Sequence, residues 1–341
     1  MNFQAVSLKV KVSTVLLVVF CFIFILVDKS NSPDFAAYSS MYDGSLHTTG
    51  QMYFFGNVMA GIRMLSESFE FFQALCVLAG GYALWALFNF RVQVNPSRRR
   101  LAPLTVAALL LYAAMFFAEF YVVRLRAGLS ISFFIIAAVA FLTLSVNDIL
   151  SRKAALCVGC FILSLLTHYS TSLVLCLLIM PAMCTHHLQL RPKTAGSILF
   201  ILATLVIWIL AFENIVGSWV ERGAYLRSPL HPFRLLMSAV VPLLIFVITV
   251  VSARAKVSRA ARFPFNFGFS YVLACFVLIC FFVSGRLEYD GEAVVRVMTL
   301  SSVGSLISIF GWGLNRYTLL PAYLGICNAL FFANTIILKL N

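Results

Sequence analysis

Residues Ala154–Cys184 read AALCVGCFILSLLTHYSTSLVLCLLIMPAMC. The run is apolar except for a polar knot at its centre, Thr167-His168-Tyr169-Ser170-Thr171-Ser172. One crossing of a bilayer takes about 20 apolar residues, and these 31 exceed that. Arg152 and Lys153 precede the run, and Arg191 and Lys193 follow it. Lys and Arg mark the cytoplasmic side of spanning helices, so both flanks belong inside and the run must cross twice. Two helices of about 15 residues, each about 22 Å long at 1.5 Å per residue, then form a short hairpin over 154–184. Its polar tip sits below the outer membrane surface. Non-helical backbone at that depth is tolerated only where it lines a cavity or is buried in protein.

Working outward, further apolar runs stand at 12–27, 71–90, 102–121, 129–146, 197–212, 234–252, 265–284, 294–312 and 319–338. The expected fold is all-α, a polytopic integral membrane protein of about 11 transmembrane helices. Residues 1–341 then form a single transmembrane domain, with the N-terminus cytoplasmic and the C-terminus outside. The first run follows Lys9 and Lys11 and lacks a small-residue cleavage site, so it reads as a retained signal anchor. The composition agrees: 62% hydrophobic, 11% charged, mean hydropathy +0.98. Soluble domains are about half apolar and about a quarter charged. A cytosolic globular enzyme, a disordered chain and a nucleic-acid-binding module are excluded. The net charge of +13 is a topology signal. Fifteen of the 25 Lys and Arg residues fall on inner segments, with Asp148 the one acid there. No nucleic-acid partner is needed to explain it.

The outer face should be poor in arginine, yet eight of its ten cations are Arg63, Arg124, Arg126, Arg222, Arg227, Arg234, Arg286 and Arg296. Arg is favoured over Lys where a planar fork must grip phosphate or carboxylate. Inside the bilayer edge a guanidinium faces a cavity or a partner. Arg63, Arg227, Arg234 and Arg286 read as headgroup or carboxylate partners. Arg126 and Arg296, each at the lip of a span, read as functional, and Arg124 and Arg222 fit either role. The outer loops 28–70, 122–128, 213–233 and 285–293 form the candidate site.

His168 stands at the membrane-embedded tip beside Ser170. A histidine there either links helices by hydrogen bonds or takes a proton near neutral pH. A Ser–His pair two residues apart, with no oriented acid, is weak support for a hydrolytic triad. Asp34, Tyr38 and Tyr42 in the first outer loop suit sugar binding and equally suit an interfacial loop. Cys157-x-x-Cys160 has no second ligand pair and reads as apolar packing. The sequence contains no metal-ligand cluster, no Walker loop and no dinucleotide fingerprint.

The order Asp34-x-x-x-Tyr38, Arg126-Ala-Gly-Leu-Ser130, Arg152-Lys153 and His168-Tyr-Ser170 resembles the EpsG-type branch of the Wzy-like polysaccharide polymerases. Tyr225 in an outer loop and Arg296 opening a late span extend the resemblance, which covers about 34 to 310. It implies a bacterial inner-membrane glycosyltransferase of O-antigen, capsule or exopolysaccharide biosynthesis. Such an enzyme joins oligosaccharide repeat units carried on undecaprenyl pyrophosphate at the periplasmic face. The implied partners are that lipid-linked oligosaccharide, the lipid bilayer and a chain-length regulator protein. No cofactor and no metal are implied. The expected catalytic residues are His168, as base toward the acceptor hydroxyl, and Arg126. Arg296, Arg222, Arg124, Tyr225, Asp34, Tyr38 and Ser170 are expected to bind substrate. Three alternatives share features. A lipid-linked oligosaccharide flippase would place its arginines along a central cavity. A membrane O-acyltransferase would carry its histidine near the first span. An O-antigen ligase would carry a larger outer loop.

Overall fold

A computed structural model of the chain describes residues 35–45, 53–94, 121, 124–144 and 151–187, with scattered positions within 14–26, 199–210, 279–285 and 297–307. Regular structure among the described residues is all helical, with no strand. Six helices have described ends: α1 (Phe35–Tyr42), α2 (Tyr53–Arg63), α3 (Phe69–Val94), α4 (Leu125–Thr143), α5 (Arg152–Thr167) and α6 (Tyr169–His187). Within these, Phe69–Leu87 and Leu125–Thr143 are long and apolar enough to cross a membrane. The remaining spans of the sequence reading, from 102–121 and from 197–212 onward, lie outside the described residues or are touched only at single positions.

The run 154–184 divides into two helices at one residue, His168, whose backbone (φ −152°, ψ 86°) leaves the helical region. The break is sharper than the six-residue tip expected. Residues 169–172 form the first turn of α6 rather than a loop. On a straight helix, residues eight apart are about 12 Å apart along the axis. Yet the Ser164 and Ser172 hydroxyls lie 2.7 Å from each other, so the chain bends hard at His168. At the other end of α5, Ser151 caps the helix, its Oγ accepting from the Ala154 amide (3.3 Å). Arg152 and Lys153 follow in the first turn, where the helix dipole disfavours cations. Helix formation alone therefore does not explain their presence.

Helix α5 is built inside out relative to a helix of a soluble bundle. On α5 the buried face is Cys160, Ser164 and Thr167, while Val158, Ile162 and Leu166 stand exposed one turn apart, followed by Tyr169. On α3 small and large residues are buried together, Gly80, Gly81, Ala83 and Ala86 beside Phe72, Leu84, Leu87 and Phe90, while Leu78, Tyr82 and Trp85 are exposed. The α5 pattern, with small and hydroxyl-bearing residues toward neighbouring helices and large apolar ones outward, is the arrangement of helices in lipid. In water such apolar stripes would be an aggregation liability. With the four native tryptophans replaced, a tryptophan at Ile162 should be strongly quenched by lipids brominated on their acyl chains. One at Met64, which is 89% exposed beyond the end of α2, should not. Equal quenching at both positions would remove the lipid-facing assignment of α5.

The segment read as the first outer loop folds instead as α1 and α2. Phe35, Tyr38, Tyr42, Phe55, Phe69 and Phe72 form a linked set of ring contacts, with centroids 5.3 to 6.2 Å apart. The Tyr42 hydroxyl donates to the Ser66 carbonyl (2.5 Å), and Arg63 Nη1 donates to the Asp43 carbonyl (2.5 Å). Arg63 thus closes the turn after α1, where Gly44 adopts φ 79°. This is the structural role read for Arg63, with a backbone carbonyl in place of a headgroup or carboxylate. Helix α2 packs on both α3 and α5.

Near the N-terminus, Leu17 and Cys21 are buried in the same core, against α3. A Cβ at Gly81 would collide with the Cys21 sulfur, and one at Gly80 would stand 2.7 Å from the Tyr121 ring. These adjacent glycines let two neighbours approach α3 closely. Late in the chain, Val297, Leu300, Val303 and Ile307 share one helical face and join the same core.

Candidate functional site

The site is built around three hydroxyls. Ser130 of α4, Ser164 of α5 and Ser172 of α6 are each fully buried. Ser164 Oγ donates to the Ser130 carbonyl (2.8 Å), and Ser130 Oγ reaches the Ser164 carbonyl (3.1 Å). The Ser172 hydroxyl meets both, at 2.8 Å from Ser130 Oγ and 2.7 Å from Ser164 Oγ. One consistent proton arrangement satisfies all three: the first two exchange bonds with each other's backbone, and Ser172 donates into the pair. A buried hydroxyl must be satisfied in this way, and side chains this small let the helices approach closely.

The same contact sets the level of the chemistry. Ser130 and Ser164 lie at nearly equal distances along their helices from the 144–151 link, so α4 and α5 run antiparallel. Residues four apart on a helix share a face. Arg126 is four residues before Ser130, and His168 is four after Ser164 and four before Ser172. Arg126 and His168 therefore stand on the same side of the serine cluster, about one helical turn (5.4 Å) beyond it. The start of α4, the end of α5 and the start of α6 converge there.

Arg126 does not lie in the tight turn expected between two spans. Helix α4 begins at Leu125, earlier than the apolar run starting at 129, and Arg126 is inside its first turn. The reason is packing: Leu125 and Leu129 are both buried, and backbone carried into that core must form its hydrogen bonds within a helix. Arg126 is only 9% exposed, and its Nε and Nη1 are buried. The first turns of α4, α5 and α6 contain no acid. A guanidinium in a helix's first turn stands at the positive end of the dipole. A burial costly for a charge is therefore placed where the backbone also favours an anion. Arg124 is the N-cap of α4, half-buried, and makes no side-chain cap.

A second group supports this end. Tyr121, buried, donates its hydroxyl to the Gly128 carbonyl (3.0 Å) and contacts Ser132 Oγ, which bonds the same carbonyl (3.0 Å). Tyr121 thereby braces the first turns of α4, next to Arg126.

His168 is half-buried and acts as the N-cap of α6. Its Nδ1 accepts the Thr171 amide (3.3 Å), three residues on, as a capping oxygen ordinarily does, and meets Ser170 Oγ at 3.1 Å. An amide can only donate, so Nδ1 carries the lone pair. In the neutral ring the proton is then on Nε2. The expected proton-accepting role at His168 would use the other tautomer and would break this cap.

The described structure brings Arg126, Arg124, His168 and Ser170 to one end of the α4–α6 unit. Tyr38 lies apart in the aromatic set, edge-on to Phe55 at 5.7 Å. Asp34, Arg222, Tyr225 and Arg296 lie outside the described residues, as does the loop 213–233. Val297, beside Arg296, is buried in the core. Ser130, Ser164, Ser172, Ser132 and Tyr121 were not singled out as site residues from sequence. The signal for the three clustered serines was present, since each stands one helical turn from Arg126 or His168 within an apolar run. Cys157 and Cys160 form no disulfide, and Cys160 is buried in the core. Among the described residues no group of three His, Cys, Asp or Glu stands together. No protein-family model, no curated protein and no solved structure matches the chain.

Proposed function

We propose that the chain is a membrane glycosyltransferase of the Wzy-like kind, joining oligosaccharide units carried on undecaprenyl pyrophosphate at the outer face of the bacterial inner membrane. One observation carries the reading. A buried guanidinium, Arg126, stands level with His168 at a break between apolar helices, and both rest on the same buried serine cluster. A lipid pyrophosphate presents its charge at the membrane edge, where such a recessed cationic site can reach it. Binding the leaving group's charge as it develops is the largest contribution a protein makes to transfer of this kind. In the reaction the acceptor hydroxyl oxygen bonds to the anomeric carbon and the carbon–pyrophosphate bond breaks. The lipid pyrophosphate keeps the bonding pair, and the hydroxyl proton passes to water. Arg126 neutralises the departing phosphate, with Arg124 beside it, and the proposal extends to Arg222 and Arg296 as further phosphate contacts. Asp34, Tyr38, Tyr225 and Ser170 are proposed to hold sugar or phosphate oxygens.

The proposal includes about eleven crossings and a cytoplasmic N-terminus, with His168 at the outer side. In a cysteine-free background, single cysteines at Ser151 and at Gln189 should both react only with reagent admitted to the cytoplasmic side. Labelling of Gln189 from outside would sink the double crossing of 154–184. The direct test of function is a polymerisation assay with purified protein and a defined lipid-linked repeat unit. Longer lipid-linked products are expected, and movement of intact substrate across vesicles without extension would instead identify a flippase.

A further inference from the structure

We infer that His168 works as a neutral hydrogen-bond donor through Nε2 toward an anionic phosphate oxygen, its Nδ1 being committed to the N-cap of α6, and not as a proton-accepting base. The inference rests on the proposed phosphate site and specifies how that site is built.

The observation is local and chemical. Two donors converge on Nδ1, the Thr171 amide at 3.3 Å and the Ser170 hydroxyl at 3.1 Å. The amide has no acceptor capacity, so it fixes the direction of both bonds, and Ser170 donates as well. Every first-turn amide needs an acceptor. A proton on Nδ1 would forfeit the Thr171 amide bond and could keep only the contact with Ser170, its direction reversed. The tautomer is thus selected by the helix that begins at Tyr169. An imidazole whose Nε2 carries the proton can donate and cannot accept there. The helix break that ends α5 and starts α6 is the device that presents this donor. Arg126, on the same level, supplies the charge, and His168 supplies a directed neutral N–H. Ser170 gains a second role from the same geometry: its proton locks the ring while its oxygen stays able to accept a sugar hydroxyl, and it does not act as a nucleophile activated by His168.

Two substitutions separate the ring's two nitrogens. His168→Asn places an amide oxygen where Nδ1 stands, so the cap is kept and the Nε2 donor is lost. His168→Gln places an amide N–H near Nε2 but is too long to cap. The Asn variant should melt close to the parent protein and lose activity on the order of 100-fold, as when one preorganised donor is removed. The Gln variant should melt lower and retain more activity than Asn. Near-parental activity in the Asn variant would reduce His168 to a cap and overturn the inference. Equal inactivity of a folded Gln variant would return His168 to proton transfer and overturn it too. Nitrogen-15 NMR of histidine-labelled full-length protein in micelles reads the tautomer without any assay. The signal that disappears in the Asn variant should show a bare Nδ1 and a protonated Nε2, and that Nε2 signal should move when inorganic pyrophosphate is added. A proton on Nδ1, or an Nε2 signal unmoved by saturating pyrophosphate, would overturn the donor role. If the parent protein extends no chains, the polymerase reading falls while the NMR arms still decide the inference.

Discussion

Arg126→Lys should fold normally and lose roughly 30- to 1000-fold in chain extension, the effect of about 2–4 kcal/mol removed from the transition state. The substitution keeps the charge and nearly the length. What it removes is the planar fork that grips two phosphate oxygens together. The structural context sharpens the expectation. Arg126 is held at 9% exposure in the first turn of α4, one turn above the serine cluster, so its approach direction is set by helix packing. A flexible ammonium in the same enclosure would be a compact charge that prefers water. The measurement is initial rate in the lipid-linked assay, with protein amount and melting temperature matched. Parental rates in the Lys variant would mean that Arg126 anchors the start of α4 and takes no part in the chemistry.

The other large effect is expected in the packing behind the site, at a residue given no contact with substrate. Gly80→Ala should destabilise the protein by about 1–3 kcal/mol, the usual cost of overpacking a close contact. Its new Cβ would stand 2.7 Å and 2.8 Å from Tyr121 ring carbons and 2.9 Å from the hydroxyl. A ring free to move would step aside at little cost. Tyr121 is buried, and its hydroxyl is tied to the Gly128 carbonyl and to Ser132. Displacing it also loosens the brace beneath Arg126, so activity should fall beyond the loss of folded protein. Thermal unfolding of the two single variants and the double variant Gly80→Ala/Tyr121→Leu gives the check. Removing the ring should abolish most of the alanine's cost, with a coupling above about 1 kcal/mol. Additive losses would show that Gly80 and Tyr121 do not meet.

Of the fold, the sequence made legible what one-dimensional patterns carry. Apolar runs announced α3, α4 and the pair α5–α6, because a helix in lipid must present apolar residues along its whole length. The polar knot at 167–172 announced the break between α5 and α6, and the excess of outer arginines drew attention to Arg126. Boundaries were less legible. The apolar run starts the fourth helix at 129 and leaves Arg126 in the tight turn before it. The burial of Leu125 and Leu129 moves the start to 125. The first outer segment held a further surprise, because the aromatic contacts that fold α1 and α2 join residues as far apart as Phe35 and Phe69.

What the sequence by itself determined is an apolar chain whose charges are sorted to segment ends, together with the candidacy of Arg126 and His168. Both follow from solvation, which each residue reports alone. What only the tertiary structure decided is that Ser130, Ser164 and Ser172 meet, and that their meeting sets Arg126 and His168 at one level. Helical spacing could place each serine beneath its partner but not bring three helices together. Nor could spacing tell which nitrogen of His168 holds the proton. Our inference on that point comes from the Thr171 amide, whose position exists only once α6 has formed and whose chemistry allows one direction of bonding.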